Sequence, residues 1–162
     1  MEFHPLVARI KDLLEQNHIW FDYFEHEPVR TSQEAAKIRT GYELHQGAKA
    51  LILKSKDFNN NSRFVMLVIP GDLRLNNAKA KQLLKAKDLR FATEQEVFDI
   101  TNGVQLGGVP PFGNLFGIDV FVASQVLENE KIIFNAGDKR VSIATKSEDY
   151  KSLVNPTIAD II

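Results

Sequence analysis

Apolar residues recur at helical spacing through residues 5–17, where Leu6, Ile10, Leu13 and Leu14 form one stripe and predict an amphipathic helix. The pattern then switches to period two. Trp20, Asp22 and Phe24 alternate with Phe21 and Tyr23 as in a strand, and Glu25-His26-Glu27-Pro28 ends it. Thr31-Ser32-Gln33-Glu34 has the spacing of a capping box, with the Thr31 hydroxyl accepting from the Glu34 amide, and opens a short helix that stops near Gly41. Two β-rich runs, Ala48 to Lys54 and Arg63 to Ile69, flank Asn59-Asn60-Asn61-Ser62, whose residues tolerate left-handed turns, and predict a hairpin. Pro70-Gly71-Asp72 breaks the second run.

Asn77 to Lys87 predicts a basic helix, Leu89 to Ala92 a short strand, and Thr93-Glu94-Gln95-Glu96 a second capping box that opens a helix ending at Gly103. Ile118 to Ala123, Lys131 to Asn135 and Arg140 to Thr145 are strand-like. Ala136-Gly137-Asp138-Lys139 makes a tight turn between the last two, and Ser147 is placed to cap a final short helix. No linker, repeat or low-complexity segment interrupts the chain. The expectation is one α+β domain over residues 1–162, with a mixed, mainly antiparallel sheet and helices around it.

Composition narrows this picture only a little. A chain of 162 residues that is 44% hydrophobic and 25% charged has the make-up of an ordinary globular protein. No apolar run approaches the roughly 20 residues that span a bilayer, and Met1 to Pro5 lacks the basic-then-apolar order of a secretory signal. There are no cysteines, which excludes disulfides, thiolate metal sites and a cysteine nucleophile, and fits a cytoplasmic protein. The net charge of −1 argues against a general nucleic-acid coat. Local basic clusters survive that average: Lys49, Lys54, Lys56 and Arg63 on neighbouring strands, and Lys79, Lys81, Lys85, Lys87 and Arg90 on one helix and its exit. Each is either a solvated face or a small patch able to grip the end of an RNA.

Several chemistries are excluded. His4, His18, His26 and His45 are scattered and form no helical ligand pair, so no metal is expected. Neither a Gly-Lys-Ser/Thr phosphate loop nor a Gly-x-Ser-x-Gly elbow is present. What remains is Gly107-Gly108-Val109-Pro110-Pro111-Phe112-Gly113, where glycines free the backbone and prolines stiffen it. Such a loop is an ordinary turn, or it offers main-chain N–H groups to a carbonyl or phosphate oxygen. Lys49 heads the apolar run Ala48 to Leu53 and shares a face with Leu51 and Leu53, so it either snorkels at the strand end or holds an anion. His26 reads as a loop residue or a base, and Asp138 as a turn residue or a ligand.

The order of these motifs resembles the prolyl-tRNA editing domains, also called the YbaK family. The matching residues are Glu25-His26-Glu27-Pro28 with Thr31 and Glu34-Ala35-Ala36; Gln46-Gly47-Ala48-Lys49-Ala50-Leu51; Val68-Ile69-Pro70-Gly71-Asp72 with Arg74-Leu75; the loop from Gly107 to Gly113; and Phe134-Asn135-Ala136-Gly137 leading to Ser142-Ile143. They span about residues 5 to 155, and the lysine and the Gly-x-x-x-Pro loop are the specific parts. The resemblance implies a barrel-like sheet and a trans-acting deacylase that hydrolyses the ester of mischarged tRNA, tRNA-Pro above all, by substrate-assisted attack of water. It implies that Lys49 contacts the terminal adenosine or phosphate and that the loop from Gly107 and Gly108 to Pro111 holds the aminoacyl carbonyl. Substrate contacts fall to His26, Thr31, Asn135, Gly137 and Asp138. No cofactor is implied; the partners are the acceptor end of an aminoacyl-tRNA and a prolyl-tRNA synthetase, with no DNA and no membrane.

Some family members carry a histidine or other polar residue where this chain has Asn135 to Asp138, which leaves alanine, cysteine, serine and threonine all open as the amino acid removed. Two other readings stand beside the deacylase: an idle relative that binds tRNA ends or partners a synthetase, and a hydrolase or binder of small aminoacyl-like esters. Salt dependence separates the RNA readings from the last one.

Overall fold

A computed structural model describes residues 2–28 and 31–162. Helix α1 (Pro5–Gln16) starts where His4 Nδ1 accepts the Leu6 N–H at 3.0 Å, with Pro5 at the first helical position. Its stripe of Leu6, Val7, Ile10 and Leu14 is buried. Strand β1 (Phe21–Glu25) begins one residue later than the alternation suggests, since its pairing with β7 starts at Phe21 opposite Thr145; the Trp20 ring lies under the Lys131 ammonium. Helix α2 (Ser32–Ile38) is capped as expected, Thr31 Oγ1 accepting from the Glu34 amide at 3.1 Å.

Strands β2 (Ala48–Asp57) and β3 (Ser62–Pro70) form the expected hairpin. Helix α3 (Asn77–Leu84) is shorter than the predicted Asn77–Lys87. Lys85 turns left-handed (φ 52°) and Ala86 enters strand β4 (Ala86–Phe91), which pairs with β2. The lysines read as one basic helix are therefore divided between a helix and a strand. Helix α4 (Glu94–Thr101) carries the complete Thr93–Glu96 capping box. Strand β5 (Asp119–Ala123) leads into a four-residue helix α5 (Ser124–Leu127), then β6 (Lys131–Asn135), β7 (Val141–Lys146), α6 (Ser147–Val154) and β8 (Thr157–Ala159). Ser147 is not the cap of α6: Lys146 holds that position, and Ser147 is a buried first-turn residue whose N–H donates to Glu130 O. Sequence periodicity passed over α5 and β8 because each is too short to show a period.

The strands form a five-stranded sheet, β4-β2-β3-β5-β8, and a three-stranded sheet, β1-β7-β6, joined by a bridge from Gly47 to Ile133. Pairing is antiparallel except where β5 runs parallel to β3 and β8, so the mixed, mainly antiparallel expectation holds. One hydrophobic cluster lies between the sheets and under α1, including Ile10, Leu14, Met66, Leu67, Phe112, Phe134 and Tyr150. No helix among the described residues is long and apolar enough to cross a membrane.

Unequal pairing along β2 positions the site. Strand β3 covers β2 from Ala48 to Lys56, whereas β4 reaches only Leu53 to Asp57. Ala92 N–H donates to Ile52 O beyond the end of β4. Beyond the bridge at Gly47, residues 49–51 keep an open edge toward the place where the two sheets meet, and strand alternation turns the N–H and C=O of Ala50 to that edge.

Candidate active site

A cavity of about 350 Å³ opens along this edge, a volume typical of small-molecule sites. Its walls are β2 from Gly47 to Ile52, the inner face of α2, the end of β4 at Phe91 and Ala92, and Leu106, Gly107 and Val109 of the glycine–proline loop. Of the residues singled out in the sequence, Lys49, Gly107, Thr31 and Asn135 meet here.

Lys49 stands exposed at the rim, with no hydrogen bond or ion pair among the described residues. Three of the other predicted basic residues are committed elsewhere. Arg63 pairs with Asp119 and Arg90 with Glu96, while Lys79 is held by Asp160 and by Ile162 O. Only Lys49 of the predicted basic residues lines the cavity.

The glycine–proline loop is fixed at both ends. Gly108 N–H closes a turn on Gln105 O, and Gly108 O accepts from Gly137 N–H at 2.9 Å. At the far end Pro111 O accepts from the buried Tyr150 hydroxyl at 2.7 Å, and the Phe112 ring meets Phe134 and Tyr150 edge-on. Burial raises the Tyr150 phenol far above its ordinary range, so it stays a donor. Gly107, at φ +92°, adopts a conformation that glycine alone accepts cheaply. Its C=O accepts from Asn135 Nδ2, and its N–H has no acceptor among the described residues; nor does the N–H of Val109.

Five predicted site residues do not line the cavity: His26, Gly108, Pro111, Gly137 and Asp138. Pro110 and Pro111 are buried beneath the loop, so the prolines brace it and do not form a wall. The Gly108 N–H is spent on Gln105 O within the loop, and the Gly137 N–H on Gly108 O, which holds the loop to the β6–β7 turn. Asp138 accepts from the Arg140 side chain at 2.9 and 2.8 Å and from His4 N–H, which holds its carboxyl down at about 2. That is the turn-residue alternative of the sequence. Thr31 lines the cavity, but its oxygen caps α2.

Arg39, which motif reasoning passed over, occupies the floor. It follows α2 four residues after buried Ala35, and that helical spacing was the available signal. The side chain is 7% exposed. Its Nε donates to Ser142 Oγ at 2.9 Å and its Nη2 to Asn135 Oδ1 at 3.0 Å. Asn135 and Ser142 are directly opposite on β6 and β7, so one cross-strand pair grips the guanidinium. Tyr42, whose N–H donates to Arg39 O, ties the end of α2 to β1 by donating its hydroxyl to Asp22 at 2.6 Å and packing edge-on against Phe24.

His26 stands behind this pair. Its Nδ1 faces Glu27 O at 2.7 Å, an acceptor, so Nδ1 carries the proton. Nε2 then accepts from the Ser142 hydroxyl at 2.7 Å, whose oxygen in turn accepts from Arg39. Burial, aided by the Arg39 charge, lowers the His26 pKa and keeps the ring neutral. His26 thus reaches the cavity through Ser142 and Arg39.

Phe91 and Leu106 form an exposed apolar lip, Phe91 being 60% exposed. Among the lining residues no serine, cysteine or histidine offers a nucleophile or base, and among the described residues no group of three side chains is arranged to hold a metal.

Known proteins resemble this chain in sequence and in fold. A Ser/Thr-tRNA deacylase of Escherichia coli, ProXp-y, is 28% identical over 153 residues, 94% of this chain and 90% of the relative. A proline–tRNA ligase of Caldicellulosiruptor bescii is 33% identical over 125 residues, but these make up only 20% of that ligase. The fold is shared with a proposed trans-editing enzyme for prolyl-tRNA synthetase, at a TM-score of 0.80 and 24% identity over 99% of this chain and 98% of that one. Residues 26–153 match the model of the aminoacyl-tRNA editing domain, and the chain belongs to that family.

Proposed function

We propose that the chain, as one editing unit over residues 1–162, is a cytoplasmic trans-acting deacylase that hydrolyses the ester of mischarged tRNA, removing a small amino acid. Serine and threonine come first, because the E. coli relative aligned over 94% of this chain is named a Ser/Thr-tRNA deacylase. The observation that carries the reading is the meeting of a cation, Lys49, and an amide, Gly107 N–H, each without a partner among the described residues, on one cavity whose described lining holds no serine, cysteine or histidine.

That arrangement suits an ester better than an amide. An acyl ester is already activated, so holding its carbonyl against fixed donors and admitting water is sufficient chemistry. Water adds to the carbonyl carbon, the bond to the terminal ribose oxygen breaks, and the proton ends on that oxygen. The neighbouring ribose hydroxyl positions the water, in place of a protein base. Lys49 at the rim meets the phosphate or sugar of the terminal nucleotide, the exposed Phe91 ring offers a base a stacking surface, and the open edge at Ala50 presents a carbonyl to the α-ammonium. The synthetase for proline is the natural partner, supplying the mischarged tRNA.

The test is purified protein incubated with tRNA-Pro carrying alanine, cysteine, serine, threonine or proline. Release of seryl and threonyl groups with prolyl-tRNA spared is expected. Equal release of all five would contradict a size-selective pocket, and no release would favour a tRNA-end-binding protein.

A further inference from the structure

Arg39 presents an unusual balance of charge. Burying a guanidinium costs several kcal/mol unless an acid is paired with it. Here its two side-chain hydrogen bonds go to neutral oxygens, and it takes part in none of the ion pairs among the described residues. Burial pushes its pKa down to about 10, which still leaves it charged at neutral pH. Of five N–H donors, only two are engaged, and Nη1 has no partner among the described residues. Nη1 is also not a sealed atom: the buried polar side-chain atom without a partner is Thr145 Oγ1, elsewhere in the core. Arg39 lines the cavity floor, so its spare donors are reached from the cavity.

The guanidinium is also held still. Asn135 ties it to the loop as well, since Asn135 Oδ1 accepts from Arg39 while Asn135 Nδ2 donates to Gly107 O. One side chain therefore sets the position of Arg39 relative to Gly107, whose N–H is open. Fixed donors on a buried, cavity-facing group are what a developing negative charge requires, because they need no reorganisation when the charge forms.

We propose that Arg39 is a catalytic residue of the deacylation proposed above: its free N–H groups receive the scissile carbonyl oxygen as it becomes an oxyanion. As water oxygen bonds to the carbonyl carbon, the C=O electron pair moves onto that oxygen, facing Arg39 and the Gly107 amide. The pair returns as the bond to the ribose oxygen breaks, and the water-derived proton passes to that ribose oxygen. Lys49 at the exposed rim is left for the phosphate, whose heavy hydration favours the mouth over the floor. Ser142 and His26 act as positioning residues behind the guanidinium.

The experiment compares wild type with Arg39→Met and Arg39→Lys on seryl-tRNA-Pro and on seryl-adenosine, which has no phosphate. Removing one oxyanion donor should lower kcat about 10²–10³-fold. The loss should appear equally on both substrates, with KM changed less than about threefold, and Arg39→Lys should regain part of it. The melting temperature of Arg39→Met should stay level or rise, because an unpaired buried charge has gone. A loss confined to the phosphate-bearing substrate would reassign Arg39 to phosphate, and an unchanged kcat would remove it from the chemistry; either overturns the proposal.

A binding measurement separates this inference from the deacylase reading itself. The probes are the adenosine monoester of the serine-like aminophosphonate, tetrahedral and anionic, and the neutral 3′-seryl-amino-adenosine. Wild type should prefer the phosphonate by at least about tenfold, and that preference should vanish in Arg39→Met, or shrink in Arg39→Lys if the methionine variant does not fold. Equal preference in wild type and variant overturns the assignment of Arg39. Wild-type inactivity toward every aminoacyl-tRNA would instead count against the deacylase reading, whatever the probes show.

Discussion

Lys49 and Arg39 are cations on the same cavity, held in opposite ways. Lys49 projects from an exposed rim with no partner among the described residues, on a strand whose neighbour β4 has already ended. Arg39 is 7% exposed, clamped by Asn135 and Ser142, and joined through Asn135 to the Gly107 loop. A flexible, hydrated cation suits a ligand that arrives with its own water and counterions, as an RNA end does. A dry, fixed cation suits charge that appears only during the reaction. In the proposed reaction the mouth binds and the floor reacts.

The largest expected effect beyond Arg39 lies at Gly107. Alanine there meets Lys139 Cε at 3.4 Å, which a flexible side chain can yield, but it must also adopt φ +92°. Gly107→Ala should tilt the open amide and lower kcat about 100-fold, while the strain costs about 1–2 kcal/mol of stability. Steady-state kinetics set beside thermal melting check this, and a melting loss with full kcat would make Gly107 a structural turn only. At the mouth, Lys49→Ala should lower kcat/KM about 10–100-fold by removing a charge-assisted contact of about 1.5–3 kcal/mol. Its fall should lie mainly in KM. A pure kcat effect would erase the contrast between the two cations. Phe91→Ala should raise KM about fivefold or more, from loss of about 1 kcal/mol of stacking, with Phe91→Trp restoring it; an unchanged KM would leave the lip without a base.

The smallest effect is a pH dependence behind the floor. His26 faces Ser142, Arg39, Glu27 O and Asp138, and its pKa is lowered in the folded protein by burial and then by the Arg39 charge. The unfolded chain therefore binds a proton more readily, near pH 6.5. Stability is full above that value and declines as pH falls through 6.5 and below. Asp138, held down at about 2, stays ionised throughout this window. Melting curves from pH 7.5 to 5 should show the decline in wild type and a flatter line in His26→Gln; parallel lines would take His26 out of the relay.

Much of the fold was legible because local chemistry and tertiary role agreed. Thr31 and Thr93 both start helices where their capping patterns place them. The α3 region misled because Lys85 and Lys87 fit a helical run, whereas pairing of Ala86 with Asp57 draws the chain into β4. At the site, Lys49 and Gly107 were readable as a cation and a glycine out of place. Gly108, Pro111 and Gly137 carried the same motif signal but anchor the loop, and Asp138 holds Arg140 and the His4 N–H, a distinction made only by who donates to whom. Arg39 showed no motif, since its meaning comes from Asn135 and Ser142, about a hundred residues further along the chain.

The division between mouth and floor is tested most directly by salt. Deacylation of seryl-tRNA-Pro is measured from low to high ionic strength, with kcat and KM separated. The account predicts that kcat stays flat while log(kcat/KM) falls linearly with log[salt], and that Lys49→Ala makes that slope shallower by about 0.7 while Arg39→Met leaves it unchanged. A slope altered by Arg39→Met and untouched by Lys49→Ala would contradict it.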